Sequence, residues 1–161
     1  VGTKLSTTAV TLAAAAVFVG PCTGTAGAAP LNPQAGDASL RRQADRIMNL
    51  TYQEFARARH VAPFDWTTDG CSVPAGLTPF NEVFRPACVQ HDFGYRNYGS
   101  AHKLKLSPTR KAKNWIDGRF RTEMKRLCDA TYKSSSRHKN CLKAKDTYYF
   151  AVNNFGDRAF F

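Results

Sequence analysis

Two stretches decide how this chain reads: Cys88-Val89-Gln90-His91-Asp92-Phe93-Gly94-Tyr95 and, upstream, Phe64-Asp65-Trp66-Thr67-Thr68-Asp69-Gly70-Cys71. The first has the pattern of a helix. Cys88, His91 and Tyr95 are then three and four residues apart and share one face. Asp92 points about 100° around the axis, so it is free to serve something other than the group His91 faces. The second stretch is a turn carrying Asp69. A bond between Cys71 and Cys88 would tie that turn about one helical turn from His91.

A carboxylate on a turn and another on a helix suit a hard cation, which takes oxygen ligands from carboxylates and backbone carbonyls. Asp69 and Asp92 supply the carboxylates and Gly70 the carbonyl, so the expected cofactor is Ca2+. Asp65-x-Thr67-x-Asp69-Gly70 also copies the opening of an EF-hand. That loop needs a bidentate glutamate at its twelfth position, where this chain has Gly76. His91 beside the cation is a candidate general base. A base needs a carboxylate on its other ring nitrogen to fix the tautomer. Asp117 is the candidate, because it interrupts the apolar run Trp115-Ile116-Asp117-Gly118-Arg119-Phe120, and aspartate is a poor helix-interior residue. The plain alternative for Asp117 is an ion pair with Arg121, four residues on.

Working outward, 161 residues suit one domain, and hydrophobic residues at 43% suffice for a core. Lys4 is the only charge before Asp37, and the apolar run from Ala9 to Val19 is too short for the roughly 18 residues of a membrane span. With the small residues Ala26-Gly27-Ala28 it reads as a signal peptide over residues 1–28. A flexible mature N-terminus is expected over 29–39 and a folded domain over 40–161. Secretion is the expected localisation; Val19-Gly20-Pro21 before Cys22 is a poor lipoprotein signal. Outside the signal, Cys71, Cys88, Cys128 and Cys141 form an even set in an exported small domain, which points to disulfides. Zinc is disfavoured, since no Cys-x-x-Cys spacing occurs. Four cysteines allow three pairings.

Helical spacing is expected from Leu40 to Arg59, from Pro86 to Tyr98, from Ser107 to about Cys128, and from Asn140 onward with Cys141, Ala144, Tyr148, Ala151, Val152 and Phe155 inward. Phe64 to Pro86, full of Pro and Gly, reads as loop. No strand or repeat is evident, and the expected class is all-α. The formal net charge of +11 calls for an anionic partner. Secretion turns that expectation from nucleic acid toward an anionic lipid surface. Lys103, Lys105, Arg110, Lys111, Lys113, Arg119, Lys125 and Arg126 would form the basic face.

Taken together, Phe64 to Cys71, Phe80-Asn81, Ala87-Cys88-x-x-His91-Asp92-Phe93-Gly94-Tyr95-Arg96-Asn97-Tyr98, Ile116-Asp117-x-x-Phe120, Met124-Lys125-Arg126-x-Cys128 and Tyr148-Tyr149-x-Ala151-Val152-x-x-Phe155-Gly156 closely resemble the secreted phospholipases A2 of bacteria and fungi. The chain lacks the glycine-rich calcium loop and paired cysteines of the animal enzymes. The resemblance implies a compact, disulfide-stapled helical bundle with an irregular calcium-binding loop before the catalytic helix. It implies His91 as general base oriented by Asp117, calcium on Asp69, Gly70 and Asp92, and disulfides Cys71–Cys88 and Cys128–Cys141. The activity it implies is calcium-dependent hydrolysis of the sn-2 ester of glycerophospholipids to a lysophospholipid and a fatty acid, with Tyr95 as a further substrate-site candidate. A phospholipid membrane surface is the expected partner, and a monomer the expected state. The alternative is a non-catalytic cationic membrane-binding or toxin-like module on the same scaffold. In the family a larger apolar residue is expected where Gly70 stands, and a glycine there is expected to loosen the loop.

Overall fold

The computed structural model describes residues 33–72, 80–133 and 136–161, besides the isolated Gly2. The signal peptide expected over 1–28 therefore lies outside the described residues, as do residues 29–32. Six helices follow in order: α1 Pro33–Met48, α2 Tyr52–Phe55, α3 Asn81–Tyr98, α4 Arg110–Thr131, α5 Ser136–Phe155 and α6 Asp157–Phe160. Among the described residues there is no strand, and no helix is long and apolar enough to cross a membrane. The fold is all-α.

Three boundaries differ from expectation, each for a local reason. Residues 33–39, expected to be flexible, are helical from Pro33, a residue suited to the first turn because its missing N–H has no intrahelical acceptor there. The chain from Asn81 to Pro86, expected to be loop, is the start of α3, so Pro86 lies inside the helix. An interior proline costs about 3 kcal/mol. The opposing contribution is tertiary: Phe84 and Ala87 are buried, Phe84 meets Tyr148 edge-on at 5.1 Å, and the Tyr148 hydroxyl bonds Asn81 Oδ1. Finally, α5 begins at Ser136 rather than Asn140. Thr51 and Glu54 close a capping box on α2, and Thr109 Oγ1 accepts from the Ala112 amide to start α4.

Cross-helix pairs fix the packing. His91 meets Phe120 and Tyr98 meets Trp115, so α3 and α4 run antiparallel. Cys128 is bonded to Cys141, and Arg121 pairs with Asp146 while Lys113 reaches Val152, so α5 runs antiparallel to α4. One apolar cluster, with Met48, Phe55, Phe64, Phe93 and Ile116, fills the space between α1, α2, α3 and the first half of α4. A second, with Phe84, Phe120, Met124 and Tyr148, lies between α3, the second half of α4 and α5. Buried Glu123 joins the two halves by accepting from the Tyr52 amide and from Arg119.

Two members of the expected basic face are not on a face at all. Lys113 is fully buried, and Arg119 donates to the carbonyls of Met48 and Leu50, closing the end of α1. Phe155, expected inward, is 75% exposed and lies in the lining of the cavity described below.

Both disulfides, Cys71–Cys88 and Cys128–Cys141, are present. Loop closure over 17 residues contributes about 3 kcal/mol. Replacing Cys71 and Cys88 together by alanine is therefore expected to lower the unfolding free energy by about that amount, read from urea unfolding extrapolated to water with the slope fitted separately for each protein.

Candidate active site

The loop from Phe64 to Ser72 has little regular structure and is fixed by side chains of α3. Asn97 receives the Asp65 amide on Oδ1 at 2.9 Å and returns Nδ2 to the Asp65 carbonyl at 2.9 Å. Asp65 in turn accepts from the Thr67 amide at 2.9 Å. Further along, the Thr68 hydroxyl donates to Asp92 Oδ2 at 2.5 Å, and the Asp69 amide donates to the same oxygen at 3.2 Å. The Cys71–Cys88 bond finishes the attachment. Gly70 has φ of +74°, a conformation that disfavours any residue with a Cβ. The backbone turn thus demands glycine at this position, where a larger residue was expected.

The loop brings the carboxylates of Asp69 and Asp92 together. Burial, then the neighbouring Asp69 charge, push Asp92 up to about 6. Burial also opposes the charge on Asp69, but the Ser72 hydroxyl and the Asp92 carboxyl bond to it and hold it below the usual carboxylate range. The nearest cation is Arg96, whose Nη2 stands 3.4 Å from Asp69 Oδ1. Two close carboxylates on an irregular turn, one of them driven toward its proton-bound form, are a donor set that fits a hard cation. Among the described residues no group of three or more His, Cys, Asp or Glu side chains is placed to hold a metal, and the Gly70 carbonyl accepts from the Ser72 amide at 3.2 Å.

On the neighbouring face of α3, His91 Nε2 lies 2.9 Å from Asp117 Oδ1. The Tyr95 hydroxyl donates to the same oxygen at 2.9 Å. Asp117 is fully buried. Desolvation works against its charge, yet the His91 and Lys113 interactions outweigh burial and hold its carboxyl below the ordinary range. Burial and the Asp117 charge push the Tyr95 hydroxyl up, so it stays protonated and donates. An ionised Asp117 takes the Nε2–H of the imidazole, and Nδ1 is left for the cavity as an acceptor.

Asp117 does not pair with Arg121, which instead holds Asp146 at 2.6 Å. Its partner is Lys113, one turn earlier, at 2.8 Å. Lys113, Thr68, Arg96 and Asn97 were not legible as site residues, although the i,i+4 spacing of Lys113 to Asp117 was there to be seen.

A cavity of about 600 Å³ opens over these groups. Asp69, Gly70, His91 and Asp92 line one side, and Ala151, Val152 and Phe155 of α5 line another.

The geometry has a counterpart in known sequences. A family model described as prokaryotic phospholipase A2 matches residues 45–156. The chain belongs to that family. Two relatives named secretory phospholipase A2 are similar to it. One, from Beauveria bassiana (strain ARSEF 2860), is 32% identical over 108 residues, 66% of this chain and 51% of that protein. The other, from Arthroderma benhamiae (strain ATCC MYA-4681 / CBS 112371), is 29% identical over 108 residues, 66% of this chain and 70% of its own length. The chain thus spans about half the length of the first relative. The phospholipase A2 family match takes in the loop, α3, α4 and α5 but stops before α6, whose Phe160 packs edge-on against Tyr95 at 5.2 Å.

Proposed function

We propose that this chain is a secreted, calcium-dependent phospholipase A2 that hydrolyses the sn-2 ester of glycerophospholipids. The observation that carries the reading is the His91–Asp117 pair, 2.9 Å apart, whose His91 lines the same cavity as Asp69 and Asp92 while Asp117 is buried behind it. His91 Nδ1 takes a proton from a water, that water attacks the ester carbonyl, and the imidazolium gives the proton to the departing glycerol oxygen as its bond to the acyl carbon breaks. Asp117 keeps the ring in the productive tautomer and faces the imidazolium as it forms. Tyr95 holds the Asp117 oxygen in place. Asp69, Asp92 and the Gly70 carbonyl would hold calcium, which would supply Lewis-acid polarisation of the ester carbonyl. The apolar wall of α5 accommodates an acyl chain, and about 600 Å³ lies within the range of small-molecule sites.

The membrane reading draws on the same helix. Phe155 stands at the cavity rim, 75% exposed, and Phe150, 58% exposed, lies beside it with ring centres 6.1 Å apart. Two exposed phenylalanines next to the opening favour insertion at a bilayer surface, and the excess of Lys and Arg favours an anionic one. Burying one phenylalanine is worth about 1.5–3 kcal/mol. Phe155→Ser is therefore expected to weaken partition onto phosphatidylglycerol-containing vesicles by about 10–100-fold, measured by sedimentation. An unchanged partition would remove α5 from the docking surface.

The test of the activity is fatty-acid release from mixed phosphatidylcholine and phosphatidylglycerol vesicles, with calcium and with chelator. Calcium-dependent release is the expected result. No release from the folded, oxidised, calcium-loaded protein would overturn the enzyme reading and leave the binding module.

A further inference from the structure

Lys113 is the one lysine of α4 that is buried completely. An ammonium in such a place is costly unless its protons are all received. Here each finds an oxygen. Nζ donates to Asp117 Oδ2 at 2.8 Å and to the Val152 carbonyl at 2.8 Å, with the Asn153 carbonyl at 3.5 Å. Asp157 Oδ1 stands 3.6 Å away, itself held by a two-pronged bond from Arg110 at 2.5 and 2.6 Å.

The two oxygens of Asp117 are thereby divided. Oδ1 serves His91 and Tyr95, and Oδ2 serves Lys113 alone. The plane of the carboxylate is fixed from both ends, and the same ammonium ties it to the end of α5, whose Val152 and Phe155 line the cavity. An i,i+4 ion pair on an exposed helix face contributes only a few tenths of a kcal/mol. This one has no exposed atom on either partner, so it serves as an internal brace.

We propose that Lys113 is a positioning residue for the reaction: it clamps Asp117 Oδ2 so that Oδ1 is presented to His91 Nε2. The inference rests on the proposed His91–Asp117 pair and adds a third member to it. Lys113 is fully buried and is not among the residues lining the cavity, so it acts through Asp117.

The experiment compares Lys113→Met in two backgrounds, wild type and Asp117→Asn, by steady-state fatty-acid release from the vesicles above, with thermal melting as the control for folding. In the wild-type background K113M is expected to lower kcat about 10–100-fold, as loss of a supporting partner does, with KM unchanged. In the D117N background it is expected to leave kcat where D117N alone puts it, since there is no charged carboxylate left to clamp. Should K113M not fold, Lys113→Gln, which keeps a donor but no charge, is put to the same comparison. A folded variant with wild-type kcat overturns the proposal, as does an equal fold-loss in both backgrounds. If D117N alone has wild-type kcat, the underlying pair has failed and Lys113 with it, an outcome separate from a D117N enzyme that is impaired while K113M is not.

Discussion

Substituting His91 by glutamine is expected to cut ester hydrolysis by about 10²–10⁴-fold while leaving the fold intact. Glutamine is close in size and offers an amide N–H to Asp117 Oδ1, so the buried carboxylate keeps a donor beside Tyr95 and Lys113. What it lacks is an sp² nitrogen that can accept a proton from water. The loss should fall on kcat, because in the proposed mechanism His91 acts on the attacking water rather than on the acyl chain. Calcium-dependent thermal stabilisation should persist, since no oxygen facing the cation has changed. A variant that loses the calcium response along with activity would show the histidine to be structural.

The second large effect is expected at Asp92. Asp92→Asn should lower calcium-dependent hydrolysis by about 10³-fold, the equivalent of about 4 kcal/mol of polarisation at the ester. It should also abolish the rise in melting temperature that calcium produces, about 2.7 kcal/mol of stabilisation at a hundredfold excess over Kd. A pH signature accompanies this. In the cation-free protein Asp92 is held at about 6, above its ordinary value of 3.8, so the folded chain binds that proton more tightly than the unfolded chain does. Between about pH 4 and pH 6 the cation-free fold therefore loses stability as pH rises through this group. Calcium must displace the same proton, so its affinity should fall about tenfold per pH unit below about pH 6. Melting curves with chelator and with calcium at pH 4.5 and pH 7 check both signs. A D92N protein that retains the full calcium-induced shift would place the cation elsewhere.

The helical bundle and the pair at its centre were legible because they obey short-range rules. His91 and Tyr95 share a face by spacing alone, and both reach Asp117. Asp117 was visible as an acid in an apolar run, where propensity gives no reason for it. Lys113 was not visible, since it sits among Arg110 and Lys111 and looks like one more surface charge. Its burial depends on α5 crossing above it, a long-range event that composition does not record. The beginning of α3 was missed for a related reason. Pro86 argues locally for a boundary, and only the packing of Phe84 against Tyr148, 64 residues away, outweighs it. Likewise Gly70 resembled a loosened loop until its φ showed that the turn itself requires glycine.

The bond between Cys71 and Cys88 has a temporal consequence. The proposed base and its carboxylate sit on two antiparallel helices that need no cross-link to meet, whereas the loop carrying Asp69 and Gly70 is covalently stapled to α3 only after two thiols have been oxidised. In a reducing compartment such bonds do not persist. On the proposed reading, a newly made chain there can bring His91 and Asp117 together, while the loop of Asp69 and Gly70 is held to α3 by hydrogen bonds alone until oxidation adds the covalent tie.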